Sequence, residues 1–150
     1  MKIPAGFKPF PKGVGFANTI DPLYFRKSDA GVVLGMHVAS EHLNGIEICH
    51  GGVLMLIADL CCAWNVRTQL PKGMGAPTLS LNFDFINAGQ QGDWLEASVS
   101  LLEVKRKVGF AAGTICCAEK TVARFNSTFH IAKLDKFSLS GDIADRYANA

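Results

Sequence analysis

Between the glycine pair Gly51-Gly52 and the stop signal Pro71-Lys72-Gly73 runs Val53-Leu54-Met55-Leu56-Ile57-Ala58-Asp59-Leu60-Cys61-Cys62-Ala63-Trp64-Asn65-Val66, apolar on almost every side and rich in helix formers. A helix without a polar face must be buried on every side, so this one predicts a core helix wrapped by the rest of the chain. Its single charge, Asp59, falls at the middle. An ionised carboxylate buried there costs on the order of several kcal/mol unless it is paired, hydrogen-bonded or protonated. Taken alone, Asp59 is either a structural acid satisfied by a partner such as Arg67 or a functional group.

After the helix the hydrophobic period changes from 3.6 to 2. Thr78-Leu79-Ser80-Leu81-Asn82-Phe83-Asp84-Phe85 places Leu79, Leu81, Phe83 and Phe85 on one face and the polar residues on the other, which predicts a half-buried strand. Leu95 to Leu101 alternates likewise until Leu102 breaks the phase, the mark of a bulge. Strands near Val108 to Ala118 and Val122 to Ile131 follow, joined by a short hairpin connection at Glu119-Lys120-Thr121. Upstream, two strand-like runs between Leu23 and Ala39 flank the turn Ser28-Asp29-Ala30-Gly31. Residues 1–20, punctuated by Pro4, Pro9, Pro11, Gly6, Gly13 and Gly15, read as an irregular arm, and 135–150 as a polar peripheral tail. One buried helix followed by antiparallel strands makes an α+β fold, a sheet around a central helix, in a single domain over 1–150.

Composition narrows the partners. Apolar residues are 49% of the 150, enough for a real core, and Lys plus Arg exceed Asp plus Glu by only 15 against 13. That balance lacks the basic footprint that duplex nucleic acid demands, so no nucleic-acid partner is expected. No apolar run approaches signal-peptide form or the ~18 residues of a membrane span, which predicts a cytoplasmic protein with no membrane partner. Cys49, Cys61, Cys62, Cys116 and Cys117 include two adjacent pairs and no zinc-type spacing, so they read as reduced thiols, with no metal site.

His50-Gly51-Gly52 stands directly before the apolar helix. Gly51 and Gly52 would let a ligand approach free backbone N–H groups at the positive end of the helix dipole, a place that stabilises an oxyanion or a polarised carbonyl. The plain alternative is a glycine turn beside a structural histidine. Lys105-Arg106-Lys107 is either an anion site or a solvated basic run.

Taken together, Asn44, His50-Gly51-Gly52, Asp59 nine residues beyond the histidine, and Gly75-Ala76-Pro77-Thr78-Leu79-Ser80-Leu81-Asn82 resemble the PaaI-like acyl-CoA thioesterases of the hotdog fold. The likeness extends from about Ile20 to Ile131 and includes Gly92-Asp93, Lys105-Arg106-Lys107 and Ala123-Arg124-Phe125-Asn126-Ser127-Thr128-Phe129. It implies hydrolysis of an acyl-CoA, aryl-acyl-CoA among the candidates, without metal or separate cofactor, coenzyme A entering as part of the substrate. It implies that the Gly51 N–H, assisted by Asn44, polarises the thioester carbonyl, and that Asp59 activates or orients the attacking water or attacks directly. Thr78 would hold the water or the acid, with Ser80 the alternative two residues on. His50 would orient the loop or the thioester. Gly52, Ser80, Asn82, Lys105, Arg106 and Lys107 are the expected substrate contacts, the three cations toward coenzyme A phosphates. Where many relatives read aromatic-x-x-Pro-Ala, this chain has Phe85-Ile86-Asn87-Ala88-Gly89, which predicts a looser turn at the edge of the acyl pocket.

Helix geometry adds a requirement. Asp59 lies eight residues beyond Gly51, ~12 Å along one helix at 1.5 Å per residue, too far for both to flank one carbonyl carbon. A two-fold homodimer with shared sites, paired again into the homotetramer that the resemblance implies, would bring one chain's glycine to the other's carboxylate. A hotdog hydratase or dehydratase and a non-catalytic acyl-CoA-binding domain are the alternatives.

Overall fold

The computed structural model of the chain describes residues 2–12 and 15–134. The expected tail, 135–150, lies outside them. The principal helix α1 spans Gly51–Thr68. The strands are β1 Lys8–Pro9, β2 Leu23–Ser28, β3 Gly31–His37, β4 Met74–Gly75, β5 Thr78–Phe85, β6 Trp94–Val104, β7 Val108–Cys117, β8 Lys120–His130 and β9 Ala132–Lys133. Seven strands pair antiparallel in the order β1-β2-β3-β6-β7-β8-β5, and β4 pairs with β9 apart from them.

The wrapped-helix architecture is the observed one. From α1 the chain runs into β5 at one edge of the sheet, then crosses beneath the start of the helix to β6, and the β6-β7-β8 meander returns to β5. Along that crossing Cys49 N–H donates to Gly89 O at 2.9 Å, and Ile48 bridges Gln90. The end of β5 is thereby drawn to the N-terminus of α1. The opposite end of the helix is clipped to β3 by the buried Asn65, whose Oδ1 accepts from Val32 N at 2.9 Å while Nδ2 donates to Val32 O and Cys61 O. A Cβ at Gly31 would run into that same Oδ1, and Gly31 has φ +117, so glycine is required there twice over.

Two expectations need correction. The helix is not covered on every side: Leu54, Ile57, Ala58, Cys61, Cys62, Trp64, Asn65 and Val66 are buried, whereas Met55 is 37% exposed and Leu56, Asp59 and Leu60 are half-buried. One sheet curves round only part of a cylinder and leaves a stripe open. Strand β5 also departs from strict alternation, because the register slips between Thr78 and Ser80 and makes Leu79 a bulge, 63% exposed. Such bulges favour edge strands, where one side has no ladder to preserve. Beyond it Leu81, Phe83 and Phe85 keep the helix-facing side, Phe83 stacking on Phe125 with centroids 6.3 Å apart. The predicted break in β6 falls between Val99 and Leu101, and the β7–β8 turn is Ala118-Glu119, with Ala118 left-handed at φ +51.

Candidate active site

The first half of the site is the entrance to α1. His50 is the N-cap, its backbone extended and its Nδ1 accepting from Gly52 N–H at 2.9 Å, an imidazole doing what a serine or aspartate usually does. Gly52 therefore spends its amide on His50 and offers none to a substrate. The Gly51 N–H takes no acceptor among the described residues, as expected for the first residue of a helix. Asn44 arrives beside it on a tight turn in which its Oδ1 accepts from Ile46 N and Ile48 N, leaving Nδ2 without an acceptor among the described residues. Asn44 and Gly51 line one cleft of about 380 Å³ with Ile48, Cys49, Leu54 and the segment from Phe85 to Gly89. Two residues with N–H groups to spare thus line a largely apolar hollow at the positive end of a helix dipole.

The second half is the middle of α1. Asp59 lies on the open stripe, and its Oδ1 accepts from Thr78 Oγ1 at 2.7 Å. The bulge at Leu79 makes this contact: regular alternation would have turned Thr78 outward with Ser80. Ser80 and Asn82 instead occupy the outer face, where Ser80 Oγ meets Thr128 Oγ1 at 2.7 Å and Asn82 Nδ2 donates to Asn126 Oδ1 at 3.1 Å. It is therefore Thr78, and not its alternative Ser80, that meets Asp59, while Asn82 is engaged with Asn126.

The basic segment Lys105-Arg106-Lys107 forms the exposed β6–β7 turn. Lys107 O accepts from Ile131 N at 2.8 Å, His130 N donates to Pro77 O at 2.9 Å, and Gly109, Phe129 and Thr78 are successive cross-strand partners. The turn therefore shares the Thr78 end of the sheet, two strand spacings or ~10 Å across. Lys105 also pairs with Glu103 at 3.0 Å, an exposed contact of little energetic weight.

Phe85, read from the sequence only as the start of a turn at the pocket edge, meets the helix entrance itself. Its ring lies so close to Gly51 that a Cβ there would sit 2.9 Å from two ring carbons. No local pattern announces this, since it depends on where the crossing from β5 to β6 passes the helix. The turn after it is not loose, as the missing proline predicted, but pinned: Ile86 N and Asn87 N both donate to Val122 O, Asn87 Nδ2 to Thr121 O, and Lys120 Nζ to Ala88 O. Hydrogen bonds do the work that a proline would do by covalent restraint.

Nearby thiols are unsuited to nucleophilic duty. Burial, helped by the Asp93 carboxylate, pushes Cys49 up to about 11; burial pushes Cys61 up to about 12. Cys62 is raised as well, by burial first and then by Cys61 and Asp59. All three stay protonated near neutrality. No cluster of three or more metal-ligating side chains occurs among the described residues, and no helix among them is long and apolar enough to cross a membrane.

A buried helix in a curved antiparallel sheet, with glycine at its entrance and a carboxylate midway, defines a hotdog-fold thioester hydrolase. Residues 47–123 match the family model of the Thioesterase superfamily, and the chain belongs to that family. The acyl-coenzyme A thioesterase PaaI of Escherichia coli is 31% identical over 99 residues, covering 65% of this chain and 69% of that protein. Its solved structure superposes with a TM-score of 0.59 over 67% of this chain and 72% of that one. The phenylacetic acid degradation protein PaaI of Thermus thermophilus, solved as a point mutant, gives 0.65 at 25% identity over 72% and 91%. A Bacillus halodurans protein solved with CoA shares the fold, with a TM-score of 0.67 at 22% identity over 73% of each chain.

Proposed function

We propose that this enzyme hydrolyses acyl-CoA thioesters at sites shared between two copies of the chain. The thioester carbonyl docks in the cleft at the α1 entrance, its oxygen accepting from Gly51 N–H and Asn44 Nδ2. Water held at the partner chain's carboxylate, the equivalent of Asp59, attacks the carbonyl carbon. As the new C–O bond forms, that carboxylate takes the water's proton; as the C–S bond breaks, the proton passes to the departing thiolate. Thr78 is a positioning residue, its hydroxyl fixing Asp59 at 2.7 Å. His50 is a positioning residue that holds the entrance loop, its Nδ1 accepting from Gly52 N–H. Coenzyme A lies along the basic turn, Lys105, Arg106 and Lys107 meeting its phosphates.

The observation that carries this reading is the lone carboxylate on the half-open stripe of a largely apolar helix, already oriented by a hydroxyl. The name of the Escherichia coli relative supports the substrate class, and the CoA in the Bacillus halodurans structure agrees with it. Support for a second copy comes from the separation of Gly51 from Asp59, and from the uncovered Met55, Leu79, Phe85 and Ile86 along the open stripe and edge strand. Asp59→Asn keeps the shape and removes the base. It should lower kcat by at least about a hundredfold, the range in which general bases act, while acyl-CoA still binds. Wild-type turnover by the variant in a free-thiol release assay would remove Asp59 from the chemistry.

A further inference from the structure

Two walls of the cleft at the α1 entrance differ in kind. One is backbone and is fixed: the segment from Ile86 to Gly89 is tied to Val122, Thr121, Lys120 and Cys49. Behind it there is no room to grow, since a Cβ at Gly89 would already be 3.3 Å from Cys49 Cβ and 3.5 Å from Leu95, itself fully buried. The other wall is the Phe85 ring, 57% exposed in the single chain on the surface offered to a second copy, touching Gly51 on one side and Phe83 on the other with centroids 4.6 Å apart. That ring can be shortened without opening the core.

We propose that Phe85 is the specificity-determining wall of the acyl cleft and restricts the enzyme to compact apolar acyl groups. The inference rests on the thioesterase reading for the identity of the ligand. Its physical basis is volume: about 380 Å³ is near the lower end of small-molecule sites and can take the acyl group but not the coenzyme. A carbonyl held at Gly51 places the first acyl carbons against the ring edge. A longer chain must then displace the ring or bend into the pinned backbone. In a closed pocket one methylene too many costs about 10- to 200-fold; a long chain that can bend past the ring incurs the lower figure once rather than at every methylene.

The test separates binding from hydrolysis. Ketone analogues of acetyl-, hexanoyl- and dodecanoyl-CoA, in which a methylene between sulfur and carbonyl keeps the carbonyl oxygen and prevents hydrolysis, are titrated calorimetrically into wild type, Phe85→Leu and Phe85→Ala. Wild type should favour hexanoyl over dodecanoyl. Phe85→Ala should gain about tenfold for dodecanoyl relative to hexanoyl, with Phe85→Leu between, and kcat/KM for the matching thioesters should move in the same order. An unchanged length preference in the folded variants, Phe85→Leu serving if Phe85→Ala does not fold, overturns the proposal, as does failure of wild type to bind any analogue. Binding whose length preference shifts with Phe85, in a protein that hydrolyses none of the thioesters, upholds the cleft and sinks the hydrolytic reading instead.

Discussion

A pair of inactive subunits offers the sharpest test of the shared site. Asn44→Asp retains the Oδ1 that accepts from Ile46 and Ile48, so the entrance turn survives, but it removes the Nδ2 donor and sets a negative charge where the oxyanion would form. Asp59→Asn removes the base at the other end of the helix. Reacting atoms must approach within ~3–3.5 Å, whereas Gly51 and Asp59 of one chain stand ~12 Å apart along α1. Strand β5 separates the two halves further: Phe85 at the cleft and Thr78 at the carboxylate are seven residues apart, ~23 Å of extended chain. Each homodimer of a variant should be inactive. Co-expressed at equal levels with different affinity tags, the two chains pair at random and about half the dimers are mixed; each mixed dimer has one intact and one doubly altered site. Activity should therefore recover to about a quarter of wild type, and to about half in the doubly purified mixed species, as two-fold symmetry requires. Mixed dimers isolated by both tags that show no thiol release would place both groups in one chain and refute the argument from helix length.

Neutralising Lys105, Arg106 and Lys107 together to Ala, with Glu103 left in place, should raise KM for an acyl-CoA by at least about tenfold with kcat little changed, and leave a short acyl-pantetheine thioester unaffected; equal effects on both substrates would make the turn an ordinary solvated face. The buried thiols predict an alkaline limit to stability. Cys61 and Cys49 are raised in the folded state to about 12 and about 11, above their ordinary value of 9.0, so the stability they contribute is full below pH 9 and is lost as pH rises through those folded values. Thermal melts should hold their midpoint up to about pH 8.5 and then decline, less steeply in Cys61→Ala than in wild type; parallel declines would assign the effect to other groups.

Local pattern alone determined the core helix, its lone carboxylate, the glycines at its entrance and the strand period, because each is written in a window of a few residues by the repeat of 3.6 or 2. The same windows marked Gly51, Asn44, Asp59 and Thr78 as candidates, and the structure sets Thr78 against Asp59 and Asn44 beside Gly51. Tertiary structure decided how these parts meet. The bulge at Leu79 turns Thr78 onto Asp59 and sends Ser80 and Asn82 outward, and it arises from pairing β5 with β8, whose partners Thr78 and Phe129 are fifty-one residues apart. The crossing beneath α1 sets Phe85 on Gly51 and pins the following turn without a proline. Curvature of the sheet leaves one helix stripe open, which a count of apolar residues cannot foresee. Periodicity reports which face of an element is apolar, but the identity of what covers it depends on contacts between residues far apart in the chain, and those form only when the whole sheet closes around the helix.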